Sequence, residues 1–220
     1  MGLAVALDAG RTACAESIDA FVGAAGSFSE YELLDASRCH GWSRLDVVVH
    51  VIGGWEEMLA GMVSAVDSEP SVDAASYWKA FASEYATDDP VPTLMWQRRR
   101  TAAYARPGSA TDQLRDVAAA VRRGVSSFGD ESRLWQGHTF SAGDYLAVWA
   151  VENVVHQLDL MADGPPPASA LKLSRMTIEA LIGQALPATW SDQDATLIGT
   201  GRLPVPDGLG AVASRLPALS

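Results

Sequence analysis

The chain has 220 residues, 48% hydrophobic and 20% charged, which is enough apolar material for one substantial core with a smaller appended piece. Sixteen basic against twenty-seven acidic residues give a formal net charge of −11, which argues against nucleic acid and anionic membrane as main partners. No apolar run reaches the ~18 residues of a membrane helix, and the stretch Met1 to Asp8 lacks the basic start of a secretory signal, so a cytoplasmic protein is expected, with Cys14 and Cys39 as free thiols.

In chain order, Leu7, Cys14, Ile18, Phe21 and Val22 recur at helical spacing and predict an amphipathic helix over 7–22. A polar, turn-forming segment follows to Trp42. Ser43 with Asp46 three residues on resembles a capping box, Asp standing where Glu or Gln is usual, and opens a strongly apolar helix to about Ser64 with His50 in its middle. Between Asp67 and Pro92 the pattern is mixed, with a short helix expected over 74–85 and a break at Asp88-Asp89-Pro90-Val91-Pro92. Helices are expected over 94–104, stopped by Pro107 and Gly108, and over 109–128, where Leu114, Val117, Val121, Val125 and Phe128 form one stripe. The basic groups Arg98-Arg99-Arg100 and Arg122-Arg123 read as solvated helix faces.

Residues 129–140 read as a loop containing Trp135 and His138. Ser141 and Asp144 look like another helix start, and this helix runs until Gly164 and Pro165-Pro166-Pro167 end it. Beyond the prolines a helix is expected over 171–186, and 195–199 reads as a short β-like piece among Gly and Pro turns. The expected architecture is mainly α: an up-and-down four-helix bundle over 1–164 with a small α/β C-terminal extension over 165–220 packed on it.

The helix after Ser141 carries the chemistry. Glu152 and His156 are four residues apart on one helical face, within a stripe made apolar by Tyr145, Val148, Trp149, Val155 and Leu160. An ionised carboxylate there is costly unless something positive compensates it, and a metal is one such compensation. His50 lies on a helix whose next turn is Gly53-Gly54. Two helical glycines beside a histidine leave a hollow for a ligand, or else allow close packing of another element. His50, Glu152 and His156 together form the two-imidazole, one-carboxylate set of a catalytic zinc site with one open position, or of a non-haem iron site; an internally paired Glu–His is the plainer alternative. Asp46 and Asp159 are candidates to orient the imidazoles. His138 could enter the site as acid or base, or simply pack in its loop. Trp42, Trp55, Trp135 and Trp149 read as core and pocket walls.

The segment Cys39-His-Gly-Trp-Ser-Arg-Leu-Asp-Val-Val-Val-His50 resembles the N-terminal domain of mycothiol-dependent maleylpyruvate isomerases, of the DinB-like metalloprotein group, and Glu152-Asn-Val-Val-His156-Gln-Leu-Asp159 resembles that family's second signature. The resemblance spans roughly residues 7 to 162, with a family-like tail around Gly199-Thr-Gly-Arg-Leu-Pro204. It implies a DinB-like four-helix bundle holding one divalent metal, usually zinc, on His50, Glu152 and His156, and a mycothiol sulfur presented to that metal as thiolate. It further implies an isomerase, adding the thiolate to a double bond and eliminating it after rotation, or an S-transferase, on a small electrophilic or unsaturated substrate. Arg202 is then a candidate clamp for a carboxylated substrate. The expected partners are a small-molecule thiol and a small-molecule substrate, with a homodimer left open. The alternative from a different class is a non-enzymatic metal- or ligand-binding helical bundle.

Overall fold

The computed structural model describes residues 2–85 and 89–219. Its long helices are α1 (Leu7–Gly26), α3 (Arg44–Met62), α6 (Pro107–Ser126) and α7 (Ala142–Leu160), and they close a ring in which α1 packs on α7, α7 on α3, α3 on α6 and α6 on α1. The expected mainly helical bundle is therefore present. Contacts from His50 with Glu152 to Tyr145 with Met58 run in opposite directions along α3 and α7, which are antiparallel. Gly10 meets Gly143 while Ser17 meets Asn153, so α1 and α7 are parallel. Glu56 meets Gln113 and Met62 meets Gly124, so α3 and α6 are parallel too. Sending α6 back along α3 needs a long connection. It holds β1 (Ala65–Val66), α4 (Ser76–Tyr85) and α5 (Val91–Thr101).

Local chemistry sets these boundaries. Ser43 accepts from Asp46 N while the Asp46 carboxylate accepts from Ser43 N, the capping box expected at the start of α3. Asp46 is thereby a cap, not a partner of an imidazole. Ser141 likewise accepts from Asp144 N at the start of α7, and the Asp144 carboxylate takes the Val5 N–H at 2.8 Å. Pro107, expected to stop the preceding helix, instead opens α6 at a position where a missing N–H costs nothing. The predicted polar segment before Trp42 contains one short helix, α2 (Glu30–Leu33), with its own capping box at Ser29.

The stretch expected as a loop over 129–140 is a hairpin of β2 (Ser132–Trp135) and β3 (His138–Phe140), with β1 added antiparallel to β2. Its two turn residues, Gln136 and Gly137, have φ of 49° and 75°, the left-handed pair that a two-residue hairpin turn favours. In the tail, the β-like piece expected at 195–199 is helical. It belongs to α9 (Asp192–Gly199), because Ser191 caps this helix by accepting from Asp194 N and its apolar residues pack on α8 (Ala168–Ile182). α8 in turn packs on α7 and α1. Asp88 of the predicted break lies outside the described residues. Among those described, no helix is long and apolar enough to cross a membrane.

α7 is the axis of the molecule: 18 of its 19 residues are buried, and Glu152 is the exception. Its central amide is satisfied on both sides, Asn153 accepting from Trp55 Nε1 at 2.9 Å and donating to Ser17 Oγ at 3.0 Å. Its start is pressed against the chain entering α1, where a Cβ on Gly143 would collide with the Val5 carbonyl oxygen and lie 2.8 Å from the Ala6 carbonyl carbon. Those atoms are backbone and cannot swing aside. Gly143→Ala is therefore expected to destabilise the protein by about 1–3 kcal/mol, the usual range for overpacking; equilibrium denaturant unfolding measures it, and an unchanged midpoint would show that the α1–α7 contact is looser than the structure has it.

Candidate metal centre

α3 and α7 meet where His50 faces Glu152 and His156. His50 Nε2 is 3.4 Å and His156 Nε2 is 3.0 Å from the same oxygen, Glu152 Oε1. The ligand atoms of the three residues all lie within 4.8 Å of one another, and the two imidazole centroids are 4.6 Å apart. Zinc bonds to His nitrogen and carboxylate oxygen of about 2.0–2.2 Å in a tetrahedron require donor atoms roughly 3.3–3.5 Å apart, close to the 3.4 and 3.0 Å that separate the two imidazoles from Glu152 Oε1. The donor set thus fits a divalent metal in both type and spacing.

Behind the cluster the charges alternate. Asp159 Oδ2 lies 3.0 Å from His156 Nδ1, which donates to it, so His156 Nε2 is the nitrogen turned towards Glu152 and His50. Arg202 straps the far side of Asp159, Nε donating to Oδ1 and Nη2 to Oδ2, both at 3.1 Å. Cys39 Sγ also donates to Asp159 Oδ2, at 3.1 Å. Burial opposes ionisation of Asp159, but its His156 and Arg202 partners outweigh that and hold its carboxyl below the usual range. Burial likewise opposes charge on Glu152 and His156. Their mutual attraction, with Asp159 and Cys39 adding hydrogen bonds to His156, leaves Glu152 well below and His156 well above its ordinary pKa. His50 is lowered, chiefly by burial, with the nearby charges of His156 and Arg100 acting in the same direction.

On the other side of Glu152 opens a cavity of about 250 Å³. Trp149 from α7, Trp135 from the hairpin, and Tyr77, Trp78 and Phe81 from α4 form aromatic walls, and Trp135 and Trp149 lie 4.8 Å apart. Glu57, Gln136 and Arg100 are its polar rim. Trp42 lies outside it but packs on His50 at 5.2 Å, and Trp55 is fully buried in the core.

The residues singled out from the sequence divide accordingly. His50, Glu152 and His156 come together, with Asp159 behind them. Arg202 faces Asp159 rather than the cavity, so its guanidinium is already occupied by a carboxylate of the chain. His138 is a strand residue in β3, with Nε2 4.0 Å from Glu84 Oε2, and is not among the cavity-lining residues. Arg98 and Arg99 are exposed, as a solvated face requires, whereas Arg100 turns into the cavity. The clues to Arg100 were its helical spacing from Trp96 and the unexplained Gly53-Gly54 pair.

Residues 14–161 match the family described as "Mycothiol maleylpyruvate isomerase N-terminal domain". Among solved structures, the chain is similar to the crystal structure of the mycothiol-dependent maleylpyruvate isomerase, with a TM-score of 0.55 and 14% identity over 79% of this chain and 70% of that one. A crystal structure of a histidine-to-alanine mutant of that enzyme gives a TM-score of 0.52 and 15% identity with the same coverage. At such identities the likeness is one of fold. No curated protein gives a significant match.

The cluster dictates a pH dependence for the metal-free protein. Glu152, depressed from 4.5, contributes stability that is present above that value and lost as pH falls through its folded pKa. His156, raised from 6.5, contributes stability that is present below that value and lost as pH rises through its folded pKa. The contribution of this pair is thus greatest between pH 4.5 and 6.5. Thermal unfolding of the metal-free protein across pH should show an alkaline decline that added zinc removes, since the ion takes the place of the proton; identical metal-free and zinc-loaded profiles would count against a metal at His156. Asp159→Asn should weaken zinc binding by about 10–100-fold in competition with a chelator, the usual cost of losing a partner behind a ligand histidine.

Proposed function

Because the chain belongs to the mycothiol maleylpyruvate isomerase N-terminal domain family, we propose that it is a metal-dependent, thiol-cofactor enzyme, an isomerase or S-transferase acting on a small electrophilic or unsaturated substrate. The observation that carries this reading is the convergence of His50, Glu152 and His156 at one end of an aromatic-walled cavity large enough for a small molecule.

In this reading the three side chains hold a divalent metal, with zinc best suited to the nitrogen and oxygen donors. Such an ion supplies Lewis acidity, which keeps a coordinated thiol deprotonated at neutral pH. A thiol such as mycothiol supplies a nucleophile, for addition to and elimination from an activated double bond in an isomerase, or for displacement at an electrophilic carbon in a transferase.

The chain's own residues do the remainder. Asp159 accepts a hydrogen bond from His156 Nδ1–H and so would keep the Nε2 lone pair available to the ion. Arg202, from the C-terminal extension, keeps Asp159 ionised and fixed; it is a positioning residue here, not the substrate clamp first expected of it. Trp135 and Trp149 close the wall next to Glu152 and keep bulk water from a thiolate. Tyr77 donates to Gln136 Oε1 at 2.8 Å, and burial pushes its phenol up, so it serves as a neutral wall rather than a base.

Protein purified without added metal should carry, or regain on adding zinc, one equivalent of metal. With mycothiol and a panel of unsaturated acids and alkyl electrophiles it should turn over catalytically. His50→Ala should lose metal and activity together, the activity by at least about 100-fold. Stoichiometric metal without turnover would favour the non-enzymatic binder, and absence of metal in the wild type would remove the reading altogether.

A further inference from the structure

We propose that Arg100 is the residue of this cavity that recognises the anionic group of a small-molecule ligand. The inference rests on the reading of His50, Glu152 and His156 as the reactive end of the same cavity, and it assigns the residue that sets that site's ligand specificity.

Three features set Arg100 apart from the other arginines near the site. First, a place is cut for it. α5 is tied to α3 by a buried hydrogen bond from Gln97 Nε2 to the Asp46 carbonyl at 2.8 Å, and Arg100 follows one turn later. A Cβ on Gly53 would lie 2.2, 2.7 and 2.9 Å from its Nη2, Nη1 and Cζ, so the guanidinium rests where a side chain at 53 would otherwise be. The absent side chain in mid-helix, which costs about 1 kcal/mol relative to alanine, makes room for a charged group one turn from His50.

Second, the guanidinium sits over an aromatic ring. Its Cζ stands 4.7 Å from the ring centroid of Trp96, its neighbour at i−4 on α5, and Trp96 is itself half-exposed at the cavity's edge. A cation–π contact of this kind holds the guanidinium at the ring without using its N–H donors.

Third, that edge is uncommitted. Among the described residues Arg100 makes no ion pair and donates no side-chain hydrogen bond, although Glu152 and Glu57 line the same cavity. Glu152 is engaged by both imidazoles, and Glu57 accepts from Gln136 Nε2 at 3.2 Å. Arg202 shows the contrast, with its Nε and Nη2 bound to Asp159. A guanidinium fork with free donors inside a partly enclosed aromatic cavity matches a carboxylate, which it can bind in a bidentate manner. The electrophilic end of such a substrate would then be directed along the cavity towards His50 and Glu152.

The test is calorimetric titration of maleate, and of its uncharged dimethyl ester, into wild-type protein, Arg100→Met, Arg100→Lys and Gly53→Ala. Each is measured with and without bound zinc, with metal content and unfolding temperature checked in parallel. The proposal predicts maleate binding that weakens at least about tenfold in Arg100→Met, the factor that about 1.4 kcal/mol of lost charge-assisted bonding represents. Arg100→Lys should recover part of it. Gly53→Ala, which displaces the guanidinium without removing its charge, should weaken it as Arg100→Met does. Ester binding should be the same in all four proteins. Maleate affinity that is absent in the wild type, or equal in wild type and Arg100→Met, overturns the assignment. A wild type that binds maleate through Arg100 but holds no zinc would defeat the metal-dependent reading and leave the anion site standing, so the two failures are separable.

Discussion

The structure depends on a chain of alternating charge laid through its most buried region: Glu152, His156, Asp159 and Arg202, each in contact with the next. Any one of these groups would be intolerable alone inside a bundle, since an unpaired buried charge costs several kcal/mol. Linked in sequence they neutralise one another, and they leave only one end reactive. That end is Glu152, the single residue of α7 that is not buried. A divalent ion there would extend the alternation by one more positive member, with His50 completing the set from the opposite helix.

The fold serves this arrangement by holding α7 rigidly. The close approach of Gly143 to the chain before α1 fixes one end of the helix. The Trp55–Asn153–Ser17 hydrogen bonds fix its middle, and Arg202, together with Arg44 donating to the Leu160 carbonyl, fixes the other end. α3 is joined to the same network, so His50 cannot drift from Glu152 without breaking buried hydrogen bonds. By contrast α4 and α5 are short, partly exposed pieces at the cavity's edge, bearing Phe81, Met95 and Trp96. The end that carries His50, Glu152 and His156 is held on many sides, and the far wall of the cavity is built from the less deeply packed part of the chain. Such a division lets a bundle keep a fixed side-chain cluster while the walls beside it vary.

What could be read from the sequence followed the same division. The capping box at Ser43, the N-cap at Ser141 and the apolar runs behind them were legible because caps and periodicity are local signals, and both helices start where those signals lie. The Glu152–His156 spacing and His50 stood out as polar groups in apolar surroundings. Of the cavity walls, Trp135 and Trp149 were noticed, whereas Tyr77, Trp78, Phe81, Trp96 and Arg100 were not, since they lie on short, partly exposed helices whose inward faces only the tertiary packing fixes. Tertiary contacts decided other points: Pro107 opens a helix rather than closing one, and Thr196 and Ile198, β-formers by composition, are drawn into α9 by the Ser191 cap and the packing on α8. Arg202 was noticed for its guanidinium, but only the structure shows that Asp159 already occupies it. The Gly53-Gly54 pair was visible as an anomaly, and its reason is the room it gives Arg100 and Trp149.

The central claim is that a thiol meets a metal held by His50, Glu152 and His156. Cobalt(II) substitution tests it most directly, because the ion reports both its own coordination and the arrival of sulfur in one electronic spectrum. The account predicts one equivalent of cobalt with visible bands of a low-coordinate nitrogen and oxygen site. It also predicts a near-ultraviolet sulfur-to-cobalt charge-transfer band on adding mycothiol, and no such bands in His50→Ala. Cobalt that binds without stoichiometry, or a sulfur band that persists unchanged in His50→Ala, would contradict it.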